Sequence, residues 1–175
     1  MRISKSAVLL SAVFAALALF GVPASATAAP IDDLTITQVG YNAYGSDTVW
    51  NRNQEFVDVK ASADVNVKDL LVTDQWGKGH VDDNDRACNT KVVTSLVGVT
   101  STPDSVILPA GHTIRIYSGR GTAAMTGSVH SLFMDSRCGY HGHIWGNGGD
   151  AAWIRLGGVW KSFAYDFDNG YTVRP

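Results

Sequence analysis

The chain has 175 residues, of which 45% are hydrophobic and 17% are charged. That composition excludes an intrinsically disordered chain, which combines low hydrophobicity with high net charge, and the length suits one domain. The formal net charge is -2, and it becomes -4 without the first 26 residues, which hold Arg2 and Lys5 but no acid. Strong nucleic-acid binding is therefore not expected, because it depends on many phosphate contacts from lysine and arginine.

The N-terminal segment has the three parts of a secretory signal peptide. Arg2 and Lys5 form a basic region, residues 7–22 are almost wholly apolar, and Ala24-Ser25-Ala26 supplies small residues for cleavage. The apolar stretch is shorter than the roughly 20 residues that cross a bilayer as a helix, and an uncleaved membrane anchor is the alternative. We expect residues 1–26 to be removed and residues 27–175 to be secreted as one domain with no membrane span.

The mature chain shows the two-residue periodicity of β-strands. Val57, Val59 and Ala61 alternate with residues that would lie on the opposite face of a strand. Ile114 and Ile116 share one face of a second such segment. Short segments of this kind, separated by Gly and Asp/Asn turns, are typical of an all-β sandwich. No mature stretch of a dozen residues has the apolar spacing of a helix.

The C-terminal end carries a hairpin signal. Asn169-Gly170 lies between two strand-like segments, residues 163–165 and 171–173. An Asn-Gly pair favours the two-residue turn of a hairpin because both positions accept a positive φ. The pattern predicts that these two segments pair with each other.

The cysteine content is two, Cys88 and Cys138. In an exported protein, an even number of cysteines with no metal or redox motif indicates a disulfide. The bond would attach to the body of the domain a long insertion at about residues 82–105, which starts acidic and continues with β-branched residues. The alternative is a catalytic thiol at Cys138 with His141 or His143 as its base.

Four blocks of sequence carry a family resemblance. They are Asn53–Lys60, Val67–Leu70, Leu108–Gly119 and Ile144–Arg155; the second follows the first at the distance seen in lamin tail domains, and the segment at 82–105 before the third is longer than in that family. The chain therefore resembles the lamin tail domain family, in its secreted bacterial single-domain type, over roughly residues 31–165. The resemblance implies an immunoglobulin-like β-sandwich with no catalytic constellation. In that family such domains contact proteins and nucleic acids in lamins, and accompany extracellular enzymes or surface proteins in bacteria.

The fourth block contains a candidate structural turn. Asn147 and Asp150 can bond their own backbone, and Gly149 between them accepts a positive φ. Trp145 would anchor the turn in the core. We interpret these four residues as structural rather than ligand-binding.

Metal sites are weak candidates in this sequence. His141 and His143 would share one face of a strand, with His130 as a conceivable third ligand, but a polar loop beside Cys138 explains them as well. Calcium could in principle use the acidic residues at 82–85 or 166–168, although neither segment has the pattern of an EF-hand loop. No metal and no other cofactor is expected.

Three classes of function remain open. The first is a non-catalytic module that binds an unknown protein or cell-surface polymer. The second is a carbohydrate or cell-wall binding module with an aromatic platform drawn from Trp50, Trp76, Trp153 and Trp160, because aromatic faces stack on the apolar faces of sugars. The third is a secreted hydrolase, for which the chain has no Gly-x-Ser-x-Gly motif.

The signal peptide generates the first prediction. Mass spectrometry of the exported protein should give a mature chain that begins near Thr27, because cleavage is expected after Ala26. Recovery of the chain with Met1 intact on membranes would contradict export by cleavage.

Overall fold

A computed structural model of the chain describes residues 30–81, 88–166 and 171–175. These residues form an all-β sandwich, which confirms the predicted fold class. The predicted signal peptide of residues 1–26 lies outside the described residues. Within them, no helix is both long and apolar enough to span a bilayer.

Strands account for most of the regular structure within these ranges. One short helix, α1 (Gln75–Lys78), and 3-10 turns at Pro30–Asp33, Arg52–Gln54 and Tyr140–Gly142 accompany them. The strands are β1 (Leu34–Gly40), β2 (Phe56–Ala61), β3 (Val65–Asn66), β4 (Leu71–Thr73), β5 (Lys91–Val92), β6 (Ser101–Thr102), β7 (Ser105–Leu108), β8 (Thr113–Tyr117), β9 (Ala124–Thr126), β10 (Val129–Phe133), β11 (Gly149–Leu156), β12 (Val159–Asp166) and β13 (Thr172–Val173).

The strands are arranged in three sheets. The largest has the order β13-β1-β2-β8-β10-β9, a second has the order β12-β11-β4-β5, and a small third has the order β3-β7-β6. Strands β8 and β10 run parallel, whereas β2 runs antiparallel to β8. The start of β2 and the ends of β8 and β10 therefore lie at the same end of the large sheet.

The core lies between the two larger sheets. Val57 and Val59 of β2 and Ile114 and Ile116 of β8 are fully buried, as their alternation predicts, and Ile154 of β11 belongs to the same apolar cluster. Burying one such side chain contributes about 1.5–3 kcal/mol relative to leaving it exposed. A one-residue shift in register would turn these side chains outward, so the apolar pattern fixes the strand register.

The predicted C-terminal hairpin is wrong. Strand β13 pairs with β1, with Val173 opposite Val39, and not with β12. Strand β12 already pairs along its length with β11, and the tight turn between those two is Gly157-Gly158, where both residues have positive φ. The chain thus passes from the second sheet to the large sheet before it ends, and Asn169-Gly170 lies outside the described residues.

The described part of the 82–105 insertion packs onto the body of the domain. Strand β5 pairs with β4 at the edge of the second sheet, and Val93 and Leu96 are buried in the core. Cys88 and Cys138 form a disulfide with their Cα atoms 5.7 Å apart, within the usual range for such bonds. Residues 82–87 lie outside the described residues.

The disulfide generates the second prediction. Replacing both cysteines, in Cys88→Ser/Cys138→Ser, should lower the free energy of unfolding by about 2–5 kcal/mol, because a native disulfide restricts the unfolded chain. Urea titration of the mature domain measures the change, and reduced wild-type protein is the matched control. Two titratable thiols in wild-type protein denatured without reductant would contradict the bond.

Candidate functional site

Glu55 is the most deeply buried acid among the described residues, and its carboxylate has partners from two other segments. It lies just before β2 and is fully buried. Its Oε2 accepts hydrogen bonds from the Ser118 hydroxyl at 3.1 Å and from the Ile144 N–H at 3.0 Å. Its Oε1 lies 2.8 Å from Nδ1 of His143, which is also buried. We call Glu55, Ser118, His143 and the Ile144 N–H the buried polar cluster.

The hydrogen bonds of His143 define where its proton lies. Its Nε2 is 2.9 Å from the carbonyl oxygen of Thr48, which can only accept, so Nε2 carries a hydrogen. Within the described residues, Nδ1 of His143 and Oε1 of Glu55 have no other hydrogen-bond partner. A proton between these two atoms satisfies both, whether the pair is imidazole with carboxylic acid or imidazolium with carboxylate.

Burial changes the ionisation of Glu55. It raises the pKa of the carboxyl from its ordinary value to about 7, while the charge of His143 and the hydrogen bonds from Ile144 and Ser118 oppose that rise. Perturbed acids of this kind are also found in active sites, so the geometry has to decide between a structural and a catalytic role.

The geometry does not match a serine hydrolase. In a serine triad the nucleophilic hydroxyl bonds the imidazole, and the imidazole bonds the acid. Here the Ser118 hydroxyl donates to Glu55, and both nitrogens of His143 are engaged elsewhere. Ser118 is fully buried as well, so its hydroxyl has the Glu55 carboxylate but no imidazole beside it, and it has no exposed face for a substrate.

A small cleft lies next to the disulfide. It has a volume of about 280 Å³, and Asp74, Trp76, Cys138 and His143 contribute to its lining. Asp74 caps α1, since its Oδ1 accepts the Gly77 N–H at 2.6 Å. Burial raises the pKa of Asp74. Because Cys138 is in the disulfide, a catalytic thiol there, the alternative considered from the sequence, is excluded in this oxidised form.

A second cleft brings a tryptophan together with two arginines. It is lined by Val49, Trp50, Arg52, Asn53 and Arg120 and has a volume of about 510 Å³. We call it the tryptophan–arginine cleft. Its volume lies within the range of about 300–1,000 Å³ that is usual for ligand pockets. Trp50 is 91% exposed, which is unusual for a tryptophan.

Hydrogen bonds fix the loop that carries Trp50. The Asn51 side chain accepts from the Thr48 N–H at 2.8 Å and donates to the carbonyl oxygens of Tyr44 and Ser46. The Thr48 carbonyl in turn is held by His143 of the buried polar cluster. The exposed ring is thus carried by a loop whose conformation is set from within the domain, and we call residues 41–54 the aromatic loop.

The other wall of this cleft depends on a close backbone approach. Asn53 donates a hydrogen bond to the carbonyl oxygen of Arg120 at 2.7 Å. A Cβ on Gly119 would lie 2.2 Å from the Asn53 Oδ1 and 2.8 Å from the Arg52 Cγ, so a larger residue there would require these side chains to move. The Gly-Arg-Gly segment after β8 therefore presents Arg120 beside the aromatic loop.

The four tryptophans proposed as a platform occupy different surroundings. Trp76 is 50% exposed and stacks on His80, with ring centroids 4.0 Å apart. Trp153 and Trp160 are half-buried and meet edge to face at 82°, so they do not form a coplanar pair. The ammonium of Lys78 lies 5.0 and 5.6 Å from the centroids of those two rings. Trp50 is the most exposed of the four and lines the second cleft, whereas Trp76 lines the smaller cleft beside the disulfide.

The candidate turn in the fourth block has the hydrogen bonds of a structural element. Trp145 is buried, and Asp150 accepts from the N–H groups of Gly146 and Ala151. The Gly149 N–H donates to the carbonyl oxygen of Gly146 at 3.2 Å. Asn147 lies half-buried in the same turn.

The predicted histidine pair is not on a strand, which corrects the geometry proposed for it. His141 lies in a 3-10 turn with a positive φ and is exposed, whereas His143 is buried after that turn. His130 lies on β10, where it bonds His112 and the Val97 carbonyl. In the part of the chain that the structure describes, no group of three His, Cys, Asp or Glu side chains could hold a metal ion. The acidic segments at 82–85 and 167–168 lie outside it.

Sequence reasoning missed the buried polar cluster and the arginines of the second cleft. Glu55, Ser118 and His143 are far apart in sequence, although Glu55 directly precedes an alternating strand, where an acid would be expected to reach solvent. Comparison with known proteins adds no assignment, since no protein-family model and no curated protein matches the chain.

The buried acid generates the third prediction. Because the pKa of Glu55 rises from 4.5 unfolded to about 7 folded, its contribution to stability is full below pH 4.5 and is lost as the pH rises towards 7. Glu55→Gln removes this dependence, so the stability of wild type relative to the variant should fall by about 3 kcal/mol between those pH values. Urea titrations of both proteins from pH 4 to 8 measure it.

The comparison with the variant isolates Glu55 from two other buried groups. Burial raises the pKa of Asp74 and lowers that of His130, and both groups titrate equally in wild type and in Glu55→Gln. Parallel pH profiles for the two proteins would show that Glu55 keeps its ordinary pKa in the fold.

Proposed function

We propose that the mature chain is an exported, non-catalytic β-sandwich module that binds a carbohydrate polymer outside the cell or on its surface. The observation that carries the proposal is Trp50, held 91% exposed on a hydrogen-bonded loop at the edge of a cleft. Exposed aromatic rings stack on the apolar face of sugar rings, and a fixed loop lowers the entropy lost on binding.

The buried polar cluster supports a binding role over a catalytic one. Its acid and its imidazole are directed at each other and at backbone groups, and Ser118 donates to the acid. Glu55 is fully buried, and His143, although it lines the small cleft beside the disulfide, is only 6% exposed and has both ring nitrogens engaged within the domain. We therefore assign the pair to holding the loops and not to acid–base chemistry.

The resemblance to lamin tail domains gains support from the same contacts. Glu55 belongs to the first block, Ser118 to the third, and Ile144 to the fourth, and the three meet at one carboxylate. A shared buried contact gives a physical reason for these blocks to occur together. We infer a sandwich of the lamin-tail type, and export of residues 27–175 follows from the signal peptide.

A protein partner is the second candidate. Tyr44 and Tyr171 are 75% and 51% exposed, and their rings lie 5.9 Å apart. Exposed neighbouring apolar groups of this kind mark protein contacts as well as sugar contacts. Substitution of Tyr44 or of Trp50 separates the two candidates, because only Trp50 lines the cleft.

The fourth prediction tests the carbohydrate role. Mature disulfide-bonded protein should co-sediment with at least one of insoluble peptidoglycan, cellulose, chitin, xylan and alginic acid. Trp50→Ala should weaken that binding by about tenfold or more, since exposed tryptophans that stack on a ligand act as hot spots. Trp76→Ala is the matched control and should retain wild-type binding, because Trp76 lies outside the tryptophan–arginine cleft.

Two results would contradict the proposal. Absence of binding to every polymer in the panel is the first. The second is polysaccharide binding that survives Trp50→Ala, which would remove Trp50 as the basis of the proposal; its loss in Tyr44→Ala would place the sugar site at Tyr44 and Tyr171 instead. Urea midpoints of all three variants should match wild type, since each change is at an exposed side chain.

A further inference from the structure

The tryptophan–arginine cleft carries an excess of positive charge. Arg120 donates from Nε to Oδ1 of Asp135 at 2.5 Å, and Nη2 of Arg52 lies 3.9 Å from the same oxygen. Arg137 is close enough to add to their effect, and the three guanidinium groups, Arg120 foremost, hold the pKa of Asp135 below its usual range. Three cations face one carboxylate, in a chain whose formal net charge is -2.

The strand topology explains why these charges meet. Arg52 precedes β2, Arg120 follows β8, and Asp135 and Arg137 follow β10. Because β2 is antiparallel to β8 and β10 is parallel to it, these three segments emerge at the same end of the large sheet. The charge excess is thus a property of the fold and not of one loop.

The donors of this cluster are not all used within the domain. The side chain of Arg120 is 64% exposed, and its bond to Asp135 uses only Nε. Its exposure leaves the terminal part of the guanidinium open to solvent at the cleft. A guanidinium with free terminal nitrogens binds a carboxylate through paired, charge-assisted hydrogen bonds.

The combination of an aromatic ring and cations in this cleft favours some classes of ligand over others. Val49 and Trp50 are the apolar members of the lining, so the cleft offers an open aromatic ring beside cations and not a deep apolar pocket. A neutral sugar would use the ring and leave the cations unpaired. A sugar that carries a carboxylate would use both.

We propose that the tryptophan–arginine cleft binds an acidic polysaccharide, with a uronic acid ring stacked on Trp50 and its carboxylate paired with Arg120. The inference rests on the function proposed above and names the class of its ligand. Arg52 is largely buried and bonds the Ser136 carbonyl, so its role is to supply fixed positive charge behind the cleft.

The test uses oligogalacturonides and their methyl esters as probes. The ester keeps the sugar face and removes the charge, so it is the matched neutral ligand. Isothermal titration of mature, disulfide-bonded protein in calcium-free buffer at pH 7 should show binding to the acid that is at least about tenfold tighter than binding to the ester. Binding to the acid should also weaken as sodium chloride is added.

Three substitutions should act at the cleft and two should not. Trp50→Ala and Arg120→Gln should each weaken binding of the acid by about tenfold or more, and Arg120→Lys should lie between Arg120→Gln and wild type because it keeps the charge but loses the fork. Trp76→Ala and Arg174→Gln are the controls for ring and charge, and both should bind as wild type does.

Three outcomes would contradict the proposal that the ligand is acidic. Equal affinity for acid and ester, lost in Trp50→Ala but kept in Arg120→Gln, would leave the carbohydrate proposal standing with a neutral ligand. Tighter binding of oligo(dT) than of the acid at equal ionic strength, dependent on Trp50 and Arg120, would identify a single-stranded nucleic-acid site instead. Failure to bind oligogalacturonides and also alginate oligosaccharides would reject the proposal, while co-sedimentation with an insoluble neutral polymer would still support the broader function.

Discussion

The burial of the Glu55 carboxylate constrains this end of the sandwich more than any other contact. A carboxylate removed from water costs several kcal/mol unless it is neutralised or hydrogen-bonded. Here the hydroxyl of Ser118, the N–H of Ile144 and the ring of His143 meet that requirement together. They come from the segment after β8 and the segment before β11, so satisfying the acid also ties these two segments to the start of β2.

The position of the aromatic loop depends on contacts that begin at Glu55. His143 is oriented by Glu55 on one side and donates to the Thr48 carbonyl on the other. Thr48 and Asn51 then hold the turn that presents Trp50. The exposed ring is therefore connected to the core by a chain of polar contacts, which adds to the apolar packing of Tyr41 and Ala43 at the start of the loop. The contacts that stabilise this part of the fold therefore also position the residues of the tryptophan–arginine cleft.

Much of the fold could be predicted from the sequence because it depends on local periodicity. The alternation through Val57 and Val59, and again through Ile114 and Ile116, indicates two strands that each have one buried face. These four side chains are buried in the structure, as expected. The disulfide could be predicted from the cysteine count and the expected compartment. These signals are local or compositional, so no knowledge of the topology is needed to use them.

The parts that were missed depend on contacts between distant residues. The pairing of β13 with β1 could not be predicted from Asn169-Gly170, because a turn signal does not say which sheet the following strand joins. The partners of Glu55 lie 63 and 89 residues away, so no spacing in the sequence connects them. The sequence predicts His141 and His143 on the same face of a strand. In the structure a 3-10 turn leaves His141 exposed, and His143 is buried directly after it.

The positions of charge also show why a net count is a poor guide to binding. The chain is acidic overall, yet the topology collects arginines from three segments around Asp135 at one end of the large sheet. Acids elsewhere do little to cancel that field, because exposed charges more than about 8 Å apart are largely screened at physiological ionic strength. An acidic domain can therefore present a local cationic site, and here the hydrogen bond from Asn53 to the Arg120 carbonyl ties Arg120 to the aromatic loop.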